Sequence, residues 1–565
     1  MKKLLNSPKV YFIFIIPILI GLGLIWSGLD LRPLHHDESL NAIYGLYYYL
    51  SPESLYYKYD PMLHGPLLYH LLPWLYHFFD ESYNTIRLIP AICFTLIPLA
   101  LIYILKPLLN YRSLLVAAFL LTGPSYVYWA KFLRHDQLVF FMFLLMGLAF
   151  HPSLKKFRTY LFVIPFILQF CIKENAYVHL ALWAGYIVFD LFIFKKDLFI
   201  ISELKKYKVH LISSLLIGVI LYLYYYSAGF IYAEGILDGL YRKSLGYWIN
   251  QHHIERIKGP FLTQFFTLSW YELPLVIALL FSIAKVHWRE RMMVKFLPLA
   301  CLLFSLVFHL VYGSNIPETS LWSTLAKLKL GIDFYAFFLL IILSISGTTI
   351  LLKRGQRVEA FFYYWTTASF FTYSFLGEKV PWLSMYILIP GTILVVLLNK
   401  DLNLKILLSF SIIGISFNCY QAYQLNFINT GSDSEFISQV HTSKEYENFA
   451  LKLQKQLESG SKLNLLAYKE NTWPLTWYLY KRDGFHFNRS GRELSSFDLV
   501  LDSYPTKTVL KDFKRIVIPL RHWWVPEWKK MGWKEFLSYS VFHKPWNYSG
   551  SQKVTIFYKE KLFNF

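Results

Sequence analysis

Residues 10–40 read VYFIFIIPILIGLGLIWSGLDLRPLHHDESL, and the two halves of that stretch pull against each other. The first half, Val10 to Trp26, is an unbroken apolar run, while the second sets His35, His36, Asp37 and Glu38 side by side. A bilayer is crossed by about 20 mostly apolar residues. The run follows MKKLLNSPK with no small-residue cleavage site behind it, so it reads as a retained signal anchor. Four ionisable groups directly beyond a span sit at a membrane surface, and the rest of the sequence must say why.

Composition places the whole chain in the membrane. Of 565 residues, 55% are hydrophobic and only 16% charged, too little charge for a soluble protein of this length. Seventeen Trp and 43 Tyr suit a protein with many membrane–water boundaries. Cys93, Cys171, Cys301 and Cys419 lie in or beside apolar segments without close spacing, which argues against a disulfide framework or a cysteine-held metal.

Apolar runs bounded by charge give thirteen expected spans: 9–29, 86–105, 113–129, 137–150, 159–172, 177–194, 209–227, 273–284, 296–312, 332–352, 359–376, 383–398 and 406–423. Lys and Arg test this threading, because short cytoplasmic loops collect them. One set of loops holds Lys2, Lys3 and Lys9; Lys106 and Arg112; Lys155, Lys156 and Arg158; and five lysines between 195 and 208. The same side continues with Lys285 to Lys295, with Lys353, Arg354 and Arg357, and with Lys400 and Lys405. Across from them, the first external loop, 30–85, carries only Arg32 and Lys58. The net charge of +20 is therefore mostly a topological signal rather than a nucleic-acid surface. The N-terminus is expected in the cytoplasm of a cytoplasmic (inner) membrane protein. The expected organisation is a transmembrane domain over 1–423 and an extracytoplasmic soluble α/β or α+β domain over 424–565. KRIVIPL and KVTIFYKE supply strand-like alternation in the latter.

With that topology every polar cluster that is hard to explain falls on the outer side, which suggests a single outward-opening cavity. Asp37 and Glu38 suit the start of an amphipathic helix, where acids complement the macrodipole. They equally suit a general base acting on an acceptor hydroxyl. His36, Asp37 and His64 are candidate ligands for a divalent metal, though adjacent residues rarely converge on one ion. His64 lies in YDPMLHGPLLYHLLPWLYHFFD, residues 59–80, whose near-helical spacing reads as an interfacial helix. Asp136, after Arg134, is a second acid opening a span, and Lys173 pairs naturally with Glu174. His64, Arg134, Lys173 and Glu174, with Arg242, His252 and Arg256 in the loop 228–272 and Glu378 and Lys379 of GEKVPW, are candidates to bind substrate, the cations as a phosphate clamp.

Together HDES, YDPMLHGPLLYHL, RHD, KEN, QHHIERIKGP, YE, YSFLGEKVPWL and WPLTWYL resemble the GT-C superfamily of polytopic glycosyltransferases. That group includes the protein O-mannosyltransferases and the aminoarabinose transferases of lipid A. The set is most similar to the family of archaeal-type flippase-activity-associated proteins, over nearly the whole chain. The resemblance implies a GT-C-like helical membrane fold, with amphipathic helices in the first external loop. It implies a mannosyltransferase-like enzyme that takes a sugar from a polyprenyl-phosphate-linked donor. The acceptor would be a lipid, glycan or protein on the outer face. Asp37 would be the base of an inverting reaction and Asp136 the second acid. The family's usual Asn between Arg and Asp is His135 here. The alternative is a flippase or flippase-accessory protein for lipid-linked sugars, and its name points that way.

Overall fold

Lipid offers the backbone no hydrogen bonds, so a spanning segment must satisfy them within itself. The structure, a computed structural model, describes residues 8–51, 56–194, 206–254, 257, 259–288, 332–480, 485–487, 494–548 and 550–560. Its helices are α1 (Pro8–Trp26), α2 (His36–Leu50), α3 (Leu67–Phe78), α4 (Tyr83–Leu109), α5 (Ser113–Thr122), α6 (Pro124–Ala130), α7 (His135–Leu148), α8 (Arg158–Phe170), α9 (Asn175–Phe194) and α10 (Lys208–Tyr226). They continue with α11 (Ser244–Ile254), α12 (Thr263–Tyr271), α13 (Leu273–Trp288), α14 (Ile332–Lys353), α15 (Arg357–Phe375), α16 (Met385–Leu398) and α17 (Leu404–Tyr423). Twelve of the thirteen expected spans coincide with helices, and 296–312 lies outside the described residues. Among the described residues six helices are long and apolar enough to cross a membrane alone, and four shorter apolar ones accompany them.

The third expected span is two helices. Gly123 lets the carboxylate of Glu272 pack where a β-carbon would stand 3.1 Å from it, and Ser125 donates to that carboxylate from both N–H and hydroxyl. The Pro124 that follows cannot continue the hydrogen-bond ladder, so the helix restarts there. The basic loops meet at one end of the bundle. Lys400 pairs with Glu359 at 2.7 Å, Arg112 donates to the Leu402 carbonyl, and Lys285 donates to that of Leu398.

At the opposite end the first loop folds back as α2 against α3. What fastens it is Glu38, whose side chain is wholly buried. Arg87 of α4 donates to both its oxygens, at 2.8 and 2.7 Å, and also grips the Arg32 carbonyl at 2.9 Å.

Beyond α17 the chain builds a six-stranded sheet: β1 (His441–Thr442), β2 (Leu465–Ala467), β3 (Phe485–Phe487), β4 (Leu499–Ser503), β5 (Lys514–His522) and β6 (Gln552–Tyr558). The order is β1-β5-β6-β4-β2-β3, with β2 parallel to β3 and β4 and the other pairs antiparallel. KRIVIPL and KVTIFYKE are the paired strands β5 and β6. Helices α18 (Lys444–Glu458), α19 (Leu475–Leu479) and α20 (Trp533–Phe542) accompany the sheet. Its edge strand reaches the first loop, where His441 bridges to His35.

Removing one partner of a buried ion pair strands the other. Arg87→Met should therefore destabilise the protein by about 3–5 kcal/mol, and the double variant Arg87→Met/Glu38→Gln should recover most of that loss. Thermal melts in detergent of the four members of the cycle check this.

Candidate active site

Helix α2 opens on a histidine cap. His35 is extended, its Nδ1 accepts from the Asp37 N–H at 3.0 Å, and Glu38 accepts from the His35 N–H at 3.2 Å. This is the reciprocal box that satisfies orphan donors at a helix start, with imidazole in place of the usual hydroxyl. Burial lowers His35 to about 4, so at neutral pH the ring is uncharged. Its Nε2–H then donates to the Gln439 carbonyl at 2.6 Å. The segment before β1 thus holds the residue that aims Asp37.

Opposite Asp37 comes the turn between α6 and α7. Arg134 bonds Asp37 through one terminal nitrogen and Asp136 through Nε at 3.3 Å, and its guanidinium lies 3.9 Å over the Trp382 ring. Asp136 also accepts two bonds from Lys173 Nζ, at 2.8 and 2.7 Å, and one from the Tyr386 hydroxyl at 2.8 Å. Burial opposes ionisation of Asp37, but Arg134, followed by His35 and His36, overcomes it and holds the carboxyl well below the usual carboxylate range. Lys173 is pulled below its ordinary value by burial, against the attraction of Asp136.

A second arm arrives through HGP. Gly65 passes so close to the Cys171 carbonyl that a β-carbon would lie 2.3 Å from it, and Gly65 N–H donates to Ile172 at 3.0 Å. That contact sets His64 beside Glu174, with Nδ1 to carboxylate at 2.7 Å and the Tyr59 hydroxyl on the other carboxylate oxygen at 2.5 Å. His64 takes a left-handed φ of 64°, a conformation that costs a residue with a side chain on the order of 1 kcal/mol. Its ring stacks on Trp248 and stands edge-on to His135, 5.2 Å away.

Four acids therefore ring the site, and exposure separates them. Their side chains are 35% exposed for Asp37, 9% for Glu174, 5% for Asp136 and 0% for Glu38. Only Asp37 of these offers substantial carboxylate surface.

The remaining expectations are sorted by the tertiary structure. Glu38, expected with the catalytic acids, is consumed by Arg87 and the Leu133 N–H. Lys379, expected on phosphate, turns its Nζ onto the carbonyls of Ser374 and Leu376, where the end of α15 leaves acceptors unsatisfied. Glu378 bridges to Ile257 in the same crossing. Arg242 is exposed at the end of the short π-helix Asp238–Arg242. Arg256 and the side chain of His252 lie outside the described residues. His36, Asp37 and His64 do not gather as metal ligands, and among the described residues no group of three such side chains does. Sequence reasoning missed Arg87, Tyr386 and Tyr59. Arg87 had a signal, since an arginine at the edge of an apolar span is costly unless an acid meets it; the two tyrosines had none among 43.

No protein-family model matches the chain, and no curated protein does. Among solved structures, ArnT from Cupriavidus metallidurans in the apo state is similar with a TM-score of 0.42 and 13% identity, over 84% of this chain and 85% of that one. The same protein bound to undecaprenyl phosphate has a TM-score of 0.42 at 11% identity, over 99% and 100%. The oligosaccharyltransferase of Archaeoglobus fulgidus in the apo form has a TM-score of 0.45 at 13% identity. That match covers 84% of this chain, which spans 63% of the oligosaccharyltransferase. These are likenesses in the course of the chain.

The His35 cap carries a pH signature. Its folded value of about 4 lies below the ordinary 6.5, so between those values the unfolded chain binds a proton that the folded chain refuses. Stability then falls as pH drops through that window. His35→Asn keeps a capping side chain and should lose less melting temperature than the wild type between pH 7.5 and pH 4.5.

Proposed function

We propose that this chain is an integral-membrane glycosyltransferase that moves a sugar, hexosyl or mannosyl in kind, from a polyprenyl-phosphate carrier to an acceptor outside the membrane. Asp37 serves as the base. The observation that carries the reading is one partly exposed carboxylate bonded to a buried cation that a phosphate would compete for. The motif set supports a place beside the flippase-activity-associated proteins. The Lys and Arg distribution supports a cytoplasmic N-terminus, with the site and the region from 424 outside.

Asp37 locked to Arg134 is ionised but a poor base, because the guanidinium stabilises the charge that must accept a proton. The donor phosphate takes Arg134 for itself, as bidentate anions do, with Lys173 beside it. Asp37, released, regains basicity just when the donor is seated. It removes the acceptor hydroxyl proton as that oxygen attacks the anomeric carbon from the far side. The bond from that carbon to the phosphate oxygen breaks, and the phosphate leaves with the electron pair. Arg134 and Lys173 stabilise the charge that develops on it. Configuration inverts because there is a single displacement. The lipid tail follows the aromatic groove lined by Phe143, Trp183, Tyr186, Phe361 and Trp365 beside His179. His179 bonds Tyr373 at 3.0 Å, and Tyr373 stacks on the Tyr386 that bonds Asp136, so groove and site share a wall.

Asp37→Asn should lower kcat by about 10²–10⁴-fold in release of labelled sugar from polyprenyl-phosphate donors, the range for losing a general base. Glu38→Gln, where it folds, should keep turnover. Full activity of Asp37→Asn would remove Asp37 from the chemistry.

The acid limb tests the release of Asp37. It should stand at lower pH in kcat/KM, which reports the free protein, than in kcat, which reports the donor complex. Coincident limbs would mean that the donor leaves the Arg134–Asp37 pair in place.

A further inference from the structure

Helix α20 of the sheet region presents Trp533, Leu537 and Phe542 at 79%, 53% and 69% exposure, too much apolar surface to leave in water unexplained. Two measurements along neighbouring spans tell where that surface stands. Gln421 of α17 donates to the Val541 carbonyl at 2.8 Å. Sixteen residues separate Gln421 from Lys405 at the basic end of the same helix, a rise of about 24 Å at 1.5 Å per residue. At the other end of α20, Phe536 packs on Phe266 at 6.1 Å, and the adjoining Phe265 stacks on Phe370 of α15 at 6.4 Å. Phe370 stands thirteen residues, about 20 Å, above Arg357 at the basic end of α15.

The Lys400–Glu359 pair places those two basic ends at one level. The hydrocarbon core is about 30 Å thick. Both anchor points of α20 therefore fall at or below its far boundary, and any tilt of the spans lowers them further. Tyr420, at 59% exposure beside Gln421, carries the lipid-facing side of α17 up to the same level. Around the apolar positions lie Lys529, Lys530, Lys534 and Lys544 against Glu527 and Glu535, a cationic rim of the kind that meets lipid phosphates.

We propose that α20 is seated in the outer boundary of the same bilayer that the spans cross, with Trp533, Leu537 and Phe542 among acyl chains and the lysines at the headgroups. The sheet region is thereby moored to lipid as well as to protein, independently of whether the site transfers sugar. Because the segment 434–441 runs from α20's contacts to the His35 cap, the mooring also steadies the edge that aims Asp37.

The test places a bimane label on Leu537→Cys in the full chain, with Cys301 and Cys419 replaced by alanine, in nanodiscs of mixed zwitterionic and anionic lipid. Brominated lipids should quench the label, and aqueous iodide should quench it severalfold less than a free bimane–glutathione adduct. Iodide quenching equal to the free adduct overturns the proposal. Shielding from iodide without quenching by brominated lipid overturns it too, since a second copy or another protein then covers the helix. Should the substituted chain fail to fold, hydroxyl-radical footprinting of the wild type in nanodiscs decides: Trp533 stays unoxidised if it is in lipid, and becomes oxidised if it is not.

Discussion

A charge removed from water must meet its opposite, and at the end of this bundle away from the basic loops that demand joins segments far apart in the chain. Arg134 stands between Asp37 and Asp136, Lys173 completes Asp136, and Arg87 closes on Glu38. The pairs Asp37–Arg134, Asp136–Lys173 and Glu38–Arg87 each cross-link segments whose contact would otherwise be apolar and interchangeable. Hydrocarbon gives little preference between one greasy helix face and another. Paired charges do, because a misplaced partner leaves an ion unmatched. The first loop, the α6–α7 turn and the α8–α9 turn therefore have one register in which they fit.

The same constraint shapes the chemistry. In the proposed reaction a fully matched cluster is stable and idle, and Asp37 is the member whose partial exposure would let it exchange partners. Glu38 is next to it in sequence, yet helix geometry points the two apart. One side chain goes to Arg87 of α4 and the core, and the other to Arg134 with part of its surface exposed. The cap on His35 makes the division firm by fixing where α2 begins. Because that cap is held by Gln439, just before β1, the sheet region takes part in the geometry of the site.

Much of this was readable in advance. Charge-bounded apolar runs located the helices, since span length and periodicity are local properties. The loops bearing His64, Arg134, Asp136, Lys173 and Glu174 were recognisable because polar residues beside spans are costly. Pairing was less legible. Lys173 was expected on Glu174 and reaches Asp136 instead, while Glu174 takes His64. Neighbours in sequence at a tight turn point different ways, and only the packed turns decide which acid each cation meets. Lys379 looked like a phosphate ligand because its backbone was unplaced; once α15 ends before it, the nearest acceptors are the carbonyls of that helix. The break at Gly123 depended on a glutamate far along the chain, so it had no local trace beyond a Gly–Pro step.

The amino-acid sequence by itself therefore determined a polytopic membrane chain, the side on which its basic loops gather, and the stretch in which its exposed acid lies. Those features follow from hydropathy and charge summed over neighbouring residues. Only the tertiary structure decided that Asp37 rather than Glu38 keeps exposed carboxylate surface, which cation holds which acid, and which spans α20 rests on. Each of these depends on distances between residues tens to hundreds of positions apart, set by the packing of helices and the matching of buried charge.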